Sequence, residues 1–358
     1  MKPQEIARWR MRQQRLWNSD LNTPEQALGW LGAVQAQEFA FAKWTLAQRT
    51  RNPDLGAIDK AFVDGTILRT HILRPTWHFV QAEDIRWMLA VSAPRVHQRS
   101  ATQYRALGID DIYPKTNKLI AKALKGGNHL TRKEIRGILE KSGFTGSGQW
   151  LGYVVFRAEL DGLVCSGAMK GKQHTYALLD ERVPQAVELD EEEALVELAR
   201  RYFTSWGPAT AKDFATWASL TLAQVKRGIT ALGDALHQEV VDDRTYWFGS
   251  RASGAKPNSP RVGLVQVYDE IVMSYSQSRD ALQGEHTAVF PQGADPHLVH
   301  PLLLDGRLIG HWRRTNNKES VEIHMRLYDD LNNKESSALK KAVDRFQQFL
   351  GIQVIFKT

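Results

Sequence analysis

The chain has 358 residues, 42% apolar and 24% charged, the profile of a soluble globular protein. It has no apolar run near the ~20 residues of a membrane span, and its single cysteine, Cys165, cannot form an internal disulfide, which fits a reducing cytoplasm. The net charge of +7 is uneven: residues 1–150 hold 23 Lys and Arg against 13 Asp and Glu, a balance of +10, and the rest holds 24 against 27, a balance of −3. A basic N-terminal part points to a polyanion partner, nucleic acid first.

The opening "MKPQEIARWRMRQQRLW" alternates Arg and Gln with apolar residues, which predicts an amphipathic helix over residues 3–17 and no secretion signal. Thr23, Pro24 and Gln26 form a T-x-x-Q capping box with proline at the first helical position. They open a second helix striped by Leu28, Leu31 and Val34. "LGAVQAQEFAF" then places Gln35 and Gln37 around Ala36 in an otherwise apolar run. In a continuous helix the two amides would lie about 200° apart; in an extended exit they would share one side. The residues alone leave two readings open, polar caps at a helix end or a catalytic pair.

"ILRTHILRPTWHFV", residues 67–80, is β-branched and aromatic enough for a strand or hairpin. Alternation puts Arg74, Thr76 and His78 on one face with Ile72 and Val80, either contacting a DNA backbone or forming a polar cluster under a helix. A long helix follows with Arg86, Arg95, Arg99 and Arg105, a solvated face or a phosphate-binding one. Trp44 and Trp77 read as core aromatics.

Residues 115–125 predict a helix. Thr131 and Glu134 cap a second, and "GQWLGYVVFRAELDG" predicts a third. Two short strands follow, "LVCSG" and "HTYALLD", around the basic turn "AMKGKQ", where Lys170 and Lys172 fit backbone contact. The same order returns over 190–248, with an acidic first helical turn at Asp190–Glu193 and two strands around Asp242-Asp243. Each is a winged helix-turn-helix, and residues 1–110 read as a longer version.

"SRASGAKPNSP" is a linker by composition. Beyond it lie strands in "RVGLVQVY", "HPLLLDGRLIGHWRR" (turning at Asp305-Gly306) and "ESVEIHMRLY", a helix in "SSALKKAVDRFQQFLG", and a last strand "IQVIFK". Arg313 and Arg314 begin "RRTNNKES", a basic hairpin tip that could press into a groove. The expected fold is α+β: three tandem winged helix-turn-helix units (1–110, 111–185, 186–255) and a β-barrel-like C-terminal domain (256–358). Zinc-protease, paired-cysteine and phosphate-loop motifs are missing, and His286, His297, His300, His311 and His324 lack ligand spacing, so neither metal nor cofactor is expected.

The stretch "AVQAQEFAFAKWTLAQR", then "LRTHILRPTWHFV", then two winged-helix units with "GPATAKDFATW" resembles the AlkZ-type DNA glycosylases over nearly the whole chain. Its most specific element is the Gln-x-Gln signature; a sister branch carries Gln-x-Asp. The chain departs at His71, where the family often has an aromatic, and at Pro75, usually glycine. The resemblance implies a C-shaped monomer that binds double-stranded DNA and excises purines alkylated at N7, in part of the family unhooking interstrand cross-links. It makes Gln35 and Gln37 the catalytic pair. Charge and position in the sequence make Lys43, Arg69, Arg74, Thr76, His78, Arg86, Arg95, Arg99, Lys170, Lys172, Arg313 and Arg314 the DNA-contact candidates. The rival reading is a non-catalytic winged-helix DNA-binding regulator, which would need a basic recognition helix where only Arg157 is available.

Overall fold

The structure, a computed structural model, describes residues 1–17, 19–249, 260–282 and 300–357. Most of the expected linker, together with His286 and His297, lies outside the described residues. The chain packs as two compact units, one of residues 1–58, 196–217 and 221–358, the other of 59–195 and 218–220.

Helix α1 spans Pro3–Gln13 and α2 Pro24–Leu31. The predicted box at the start of α2 is formed, with Thr23 Oγ1 accepting from Gln26 N–H at 3.2 Å and Gln26 Oε1 accepting from Thr23 N–H at 3.3 Å. Gly32 ends the helix at φ +77°, a left-handed conformation that a side chain would strain. The chain thereby turns out of α2 into the short strand β1, Ala33–Gln35, and re-enters a helix in α3, Phe39–Ala47. Helix α4 is Leu55–Asp64.

Strands β2 (Ile67–His71) and β3 (Trp77–Gln81) form an antiparallel hairpin with Thr70 opposite His78. The expectation of a shared face for Arg74, Thr76 and His78 is corrected here, because residues 72–76 are the turn of the hairpin. Leu73 adopts φ +61° there, which breaks the alternation. Helix α5, Ile85–Ala106, is the long arginine-bearing helix expected, and α6 is Ile109–Leu124.

The remainder of the second unit follows the predicted order. Strand β4 (Leu130–Thr131) leads into α7 (Arg132–Lys141) and α8 (Gly148–Leu160), and β5 (Val164–Ser166) pairs with β6 (Thr175–Leu178), whose other edge takes β4. A single turn, α9 (Leu179–Arg182), closes it. Thr131 and Glu134 make the predicted capping box at α7, with bonds of 3.2 Å and 2.6 Å. Cys165 is fully enclosed and burial raises its thiol to about 12, so it packs as a small apolar residue.

Helices α10 (Glu191–Ser205), α11 (Ala211–Trp217) and α12 (Leu222–Leu232) precede the hairpin β7 (His237–Val241) and β8 (Arg244–Phe248). Its turn is Asp242-Asp243, both at positive φ. Strand β9 is short, Val262–Leu264, and the chain then makes the one-turn helix α13, Glu270–Met273. Strands β10 (His300–Leu304), β11 (Arg307–Asn316) and β12 (Ser320–Leu327), helix α14 (Asn333–Leu350) and strand β13 (Gln353–Lys357) complete it. The sheet runs β13-β12-β11-β10-β9, antiparallel except for the β12–β13 pair. Residues Asp305 and Gly306 form the predicted β10–β11 turn; Gly306, at φ +82°, would bring a Cβ within 3.1–3.2 Å of Ala7. The core of the first unit is aromatic, with Trp44, Trp206, Trp217, Trp312, Tyr202 and Phe203 among its fully buried side chains.

Candidate active site and DNA interface

Gln35 and Gln37 lie outside any helix, on the stretch between α2 and α3. Gln35 is the last residue of β1, Ala36 is fully buried, and Gln37 is exposed. The extended exit is the geometry that lets residues i and i+2 share a side. The two amides differ in exposure: Gln35 is only 4% exposed and Gln37 is open to solvent, and the Gln35 backbone is hydrogen-bonded within the protein interior.

That bond joins Gln35 to a distant segment. Gln35 N–H donates to Glu270 Oε1 at 2.6 Å, across 235 residues. Glu270 is wholly buried and also accepts from Trp217 Nε1–H at 3.1 Å and Ser274 Oγ–H at 2.5 Å. Its neighbour Asp269 caps α13 and pairs with Arg49 at 2.7 and 2.9 Å, both side chains without solvent exposure. Gln48 Nε2 donates to the same carboxylate at 2.9 Å, and Arg49 also donates to Gln14 Oε1 at 3.0 Å.

Residues 264–270 therefore form a floor beneath α3. The indole N–H of Trp44 donates to Leu264 O at 2.7 Å, and that of Trp312 to Val265 O at 2.9 Å. Gln266 Nε2 donates to Thr45 Oγ1 at 3.2 Å. His300 Nδ1 accepts Val267 N–H at 3.1 Å, and burial with the Arg314 charge lowers this imidazole to about 4, so it is neutral. The strand expected in "RVGLVQVY" is formed only over Val262–Leu264, and the role of the residues that follow was missed. The signal was "YDEIVM", two adjacent acids inside an apolar run.

The DNA-contact candidates fall into different situations. In the first unit, Lys43 Nζ lies 4.6 Å from the Phe39 ring centre. Arg314 stacks over Phe41 at 4.2 Å, half-buried like Arg313. In the second unit, Arg69 is buried with its guanidinium 4.2 Å from the Trp77 ring centre. Arg74 donates to His78 Nε2 at 3.0 Å, and His78 Nδ1–H donates to Thr76 O at 2.9 Å. His78 is completely buried, and burial followed by the Arg74 charge lowers its pKa well below the usual value. Its ring therefore positions Arg74 and cannot itself meet DNA, which corrects the expectation for this residue.

Arg86 pairs with Asp180 at 2.7 Å, and Lys170 with Glu134 at 3.1 Å. Thr76 is half-buried in the β2–β3 turn. Arg95 is half-buried on α5, while Arg99 on that helix and Lys172 between β5 and β6 are exposed. Arg157, the candidate base reader on α8, is held within the unit by Asp110 at 2.5 Å and lies 4.1 Å from the Tyr113 ring centre. Among the described residues no group of three or more His, Cys, Asp and Glu side chains gathers as a metal site, and no helix is long and apolar enough to cross a membrane.

Comparison with known proteins places this geometry. The profile of the family described as DNA glycosylase AlkZ-like matches residues 28–349. The interstrand DNA cross-link repair glycosylase of Streptomyces sahachiroi is 23% identical over 332 residues, covering 86% of each chain. The solved structure of Streptomyces sahachiroi DNA glycosylase AlkZ superposes with a TM-score of 0.80 at 20% identity, covering 100% of this chain and 99% of that one. A family match over nine-tenths of the sequence, carried on the same fold, shows that the chain belongs to the AlkZ-like DNA glycosylases.

Proposed function

We propose that this enzyme is a monofunctional, monomeric glycosylase that hydrolyses the N-glycosidic bond of N7-alkylated purines in double-stranded DNA, with Gln35 and Gln37 as its catalytic pair. The observation that carries the reading is the Gln-x-Gln segment itself. It leaves α2 in extended form, anchored at Gln35 and exposed at Gln37, in a chain of this family. The recurring order of helices and hairpin supports three winged-helix units along the chain.

The chemistry suits amides. An N7-alkylated purine is cationic, so when the bond from C1′ to N9 breaks, the electron pair leaves on the base and neutralises it. No general acid is required. What develops is an oxocarbenium-like sugar, and water adds to C1′ and loses a proton to solvent. Two amide oxygens orient that water and face the growing positive charge. A glutamine does not take up the proton, so intact, poorer-leaving bases are spared by chemistry as well as by fit.

The relative's name motivates a second reading, unhooking of interstrand cross-links. A cross-link through purine N7 offers the same cationic leaving group. Incubation with a duplex carrying N7-methylguanine should release the base and leave abasic sites. Salt-dependent duplex binding without release would refute the enzyme reading and restore the non-catalytic DNA-binding one.

A further inference from the structure

We infer that Glu270 is a positioning residue for base excision, holding the Gln-x-Gln segment in register from beneath. The inference rests on Gln35 and Gln37 being the catalytic pair. Glu270 Oε1 takes the Gln35 N–H at 2.6 Å, short for such a bond. Its Oε2 is fixed in turn by Trp217 Nε1–H at 3.1 Å and Ser274 Oγ–H at 2.5 Å. The carboxylate thus bonds the active segment through Oε1 and Trp217 and Ser274 through Oε2. A buried carboxylate is costly to desolvate, and here its hydrogen bonds reach a backbone amide of the active segment, that of Gln35.

The adjacent residue does the same on the other side of the segment. Asp269 grips Arg49 and Gln48, immediately after α3. One dipeptide therefore holds the chain both before and after Gln37, spanning residues 35–49. A displacement of ~1 Å in catalytic groups costs on the order of 10²-fold in rate. This is the scale on which removal of the Gln35 bond should be read.

The experiment compares full-length Glu270→Gln and Glu270→Asp with Gln35→Ala, Gln37→Ala and a core control, Leu198→Val. The probe is a duplex carrying N7-methylguanine. Glu270→Gln turns one oxygen into a donor, so either Gln35 or Trp217 is left without its acceptor. Glu270→Asp keeps the charge and shortens the reach by one methylene. Both should lower the single-turnover release rate about 10- to 100-fold while the duplex Kd stays within about twofold. Backbone hydrogen exchange in the peptide covering residues 33–38 should accelerate in both and be unchanged in Leu198→Val. Wild-type rates in a folded Glu270→Gln or Glu270→Asp protein, with unchanged exchange, would overturn the assignment. If the two glutamine variants excise at wild-type rates, the catalytic pair itself is wrong. If they lose activity and both Glu270 variants do not, only the role of Glu270 falls.

Discussion

Replacing Gln37 with alanine removes an exposed side chain outside any helix or strand, so it leaves no cavity. The stability change should stay within ~0.5 kcal/mol, as for surface substitutions generally. Duplex binding should be nearly intact, since affinity comes mainly from phosphate contacts to which a neutral amide adds little. Release of N7-methylguanine should fall on the order of 10²–10³-fold, the cost of removing one preorganised polar group facing developing charge. At 25 °C that corresponds to about 2.7–4 kcal/mol of transition-state stabilisation. Gln37→Asp should retain or raise activity, because a carboxylate orients water and offsets positive charge more strongly. The assay is single-turnover release from a defined duplex, read as alkali-labile abasic sites, with Kd measured separately by anisotropy. A Gln37→Ala protein that excises at the wild-type rate would refute the mechanism.

Arg49→Met strands the Asp269 carboxylate in the core, where both partners have no exposure; it should cost about 3–5 kcal/mol in urea unfolding. His300 is depressed to about 4 in the folded state. Its contribution to stability is therefore complete above its unfolded value of ~6.5 and is lost as pH falls toward 4. The loss by pH 5 should be about 2 kcal/mol. His300→Asn, which keeps an acceptor for Val267 N–H, should shrink the stability gap between pH 7 and pH 5; an unchanged gap would contradict the assignment. Arg99→Ala and Lys172→Ala should each flatten the salt dependence of duplex binding, by ~0.9 in log–log slope for each phosphate that the side chain neutralises. Slopes equal to wild type would remove those residues from the interface.

Local chemistry was readable where neighbours in sequence settle it. The boxes at Thr23 and Thr131 need only residues three apart. The turns at Asp242-Asp243 and Asp305-Gly306 need only two residues tolerant of positive φ. The exit of the Gln-x-Gln segment from α2 was left open, since the apolar stripe ran on to Val34, whereas Gly32 ends the helix and Val34 lies on β1. The turn at 72–76 was not legible, because Leu73 adopts positive φ under packing that its own pattern does not announce. Glu270 was out of reach altogether, since its partner lies 235 residues away. The paired acids marked the place and not the bond. Likewise the arginines and lysines were visible as charge, but the partners that tie down Arg86, Lys170 and Arg157 came only with the fold.

The 235-residue span between Gln35 and its acceptor also sets an order of events during synthesis. Residues 59–195 leave the ribosome as a nearly complete compact unit of their own, whereas the first 58 residues belong to a unit finished only by the chain's final third. Domains tend to fold as units, N-terminal first, but this first segment must wait for the last one. A nascent chain stopped before residue 260 would carry Gln35 and Gln37 on the segment between α2 and α3 without residues 264–270 packed against it. The Gln35 anchor is thus completed last, long after the unit of residues 59–195 is able to form.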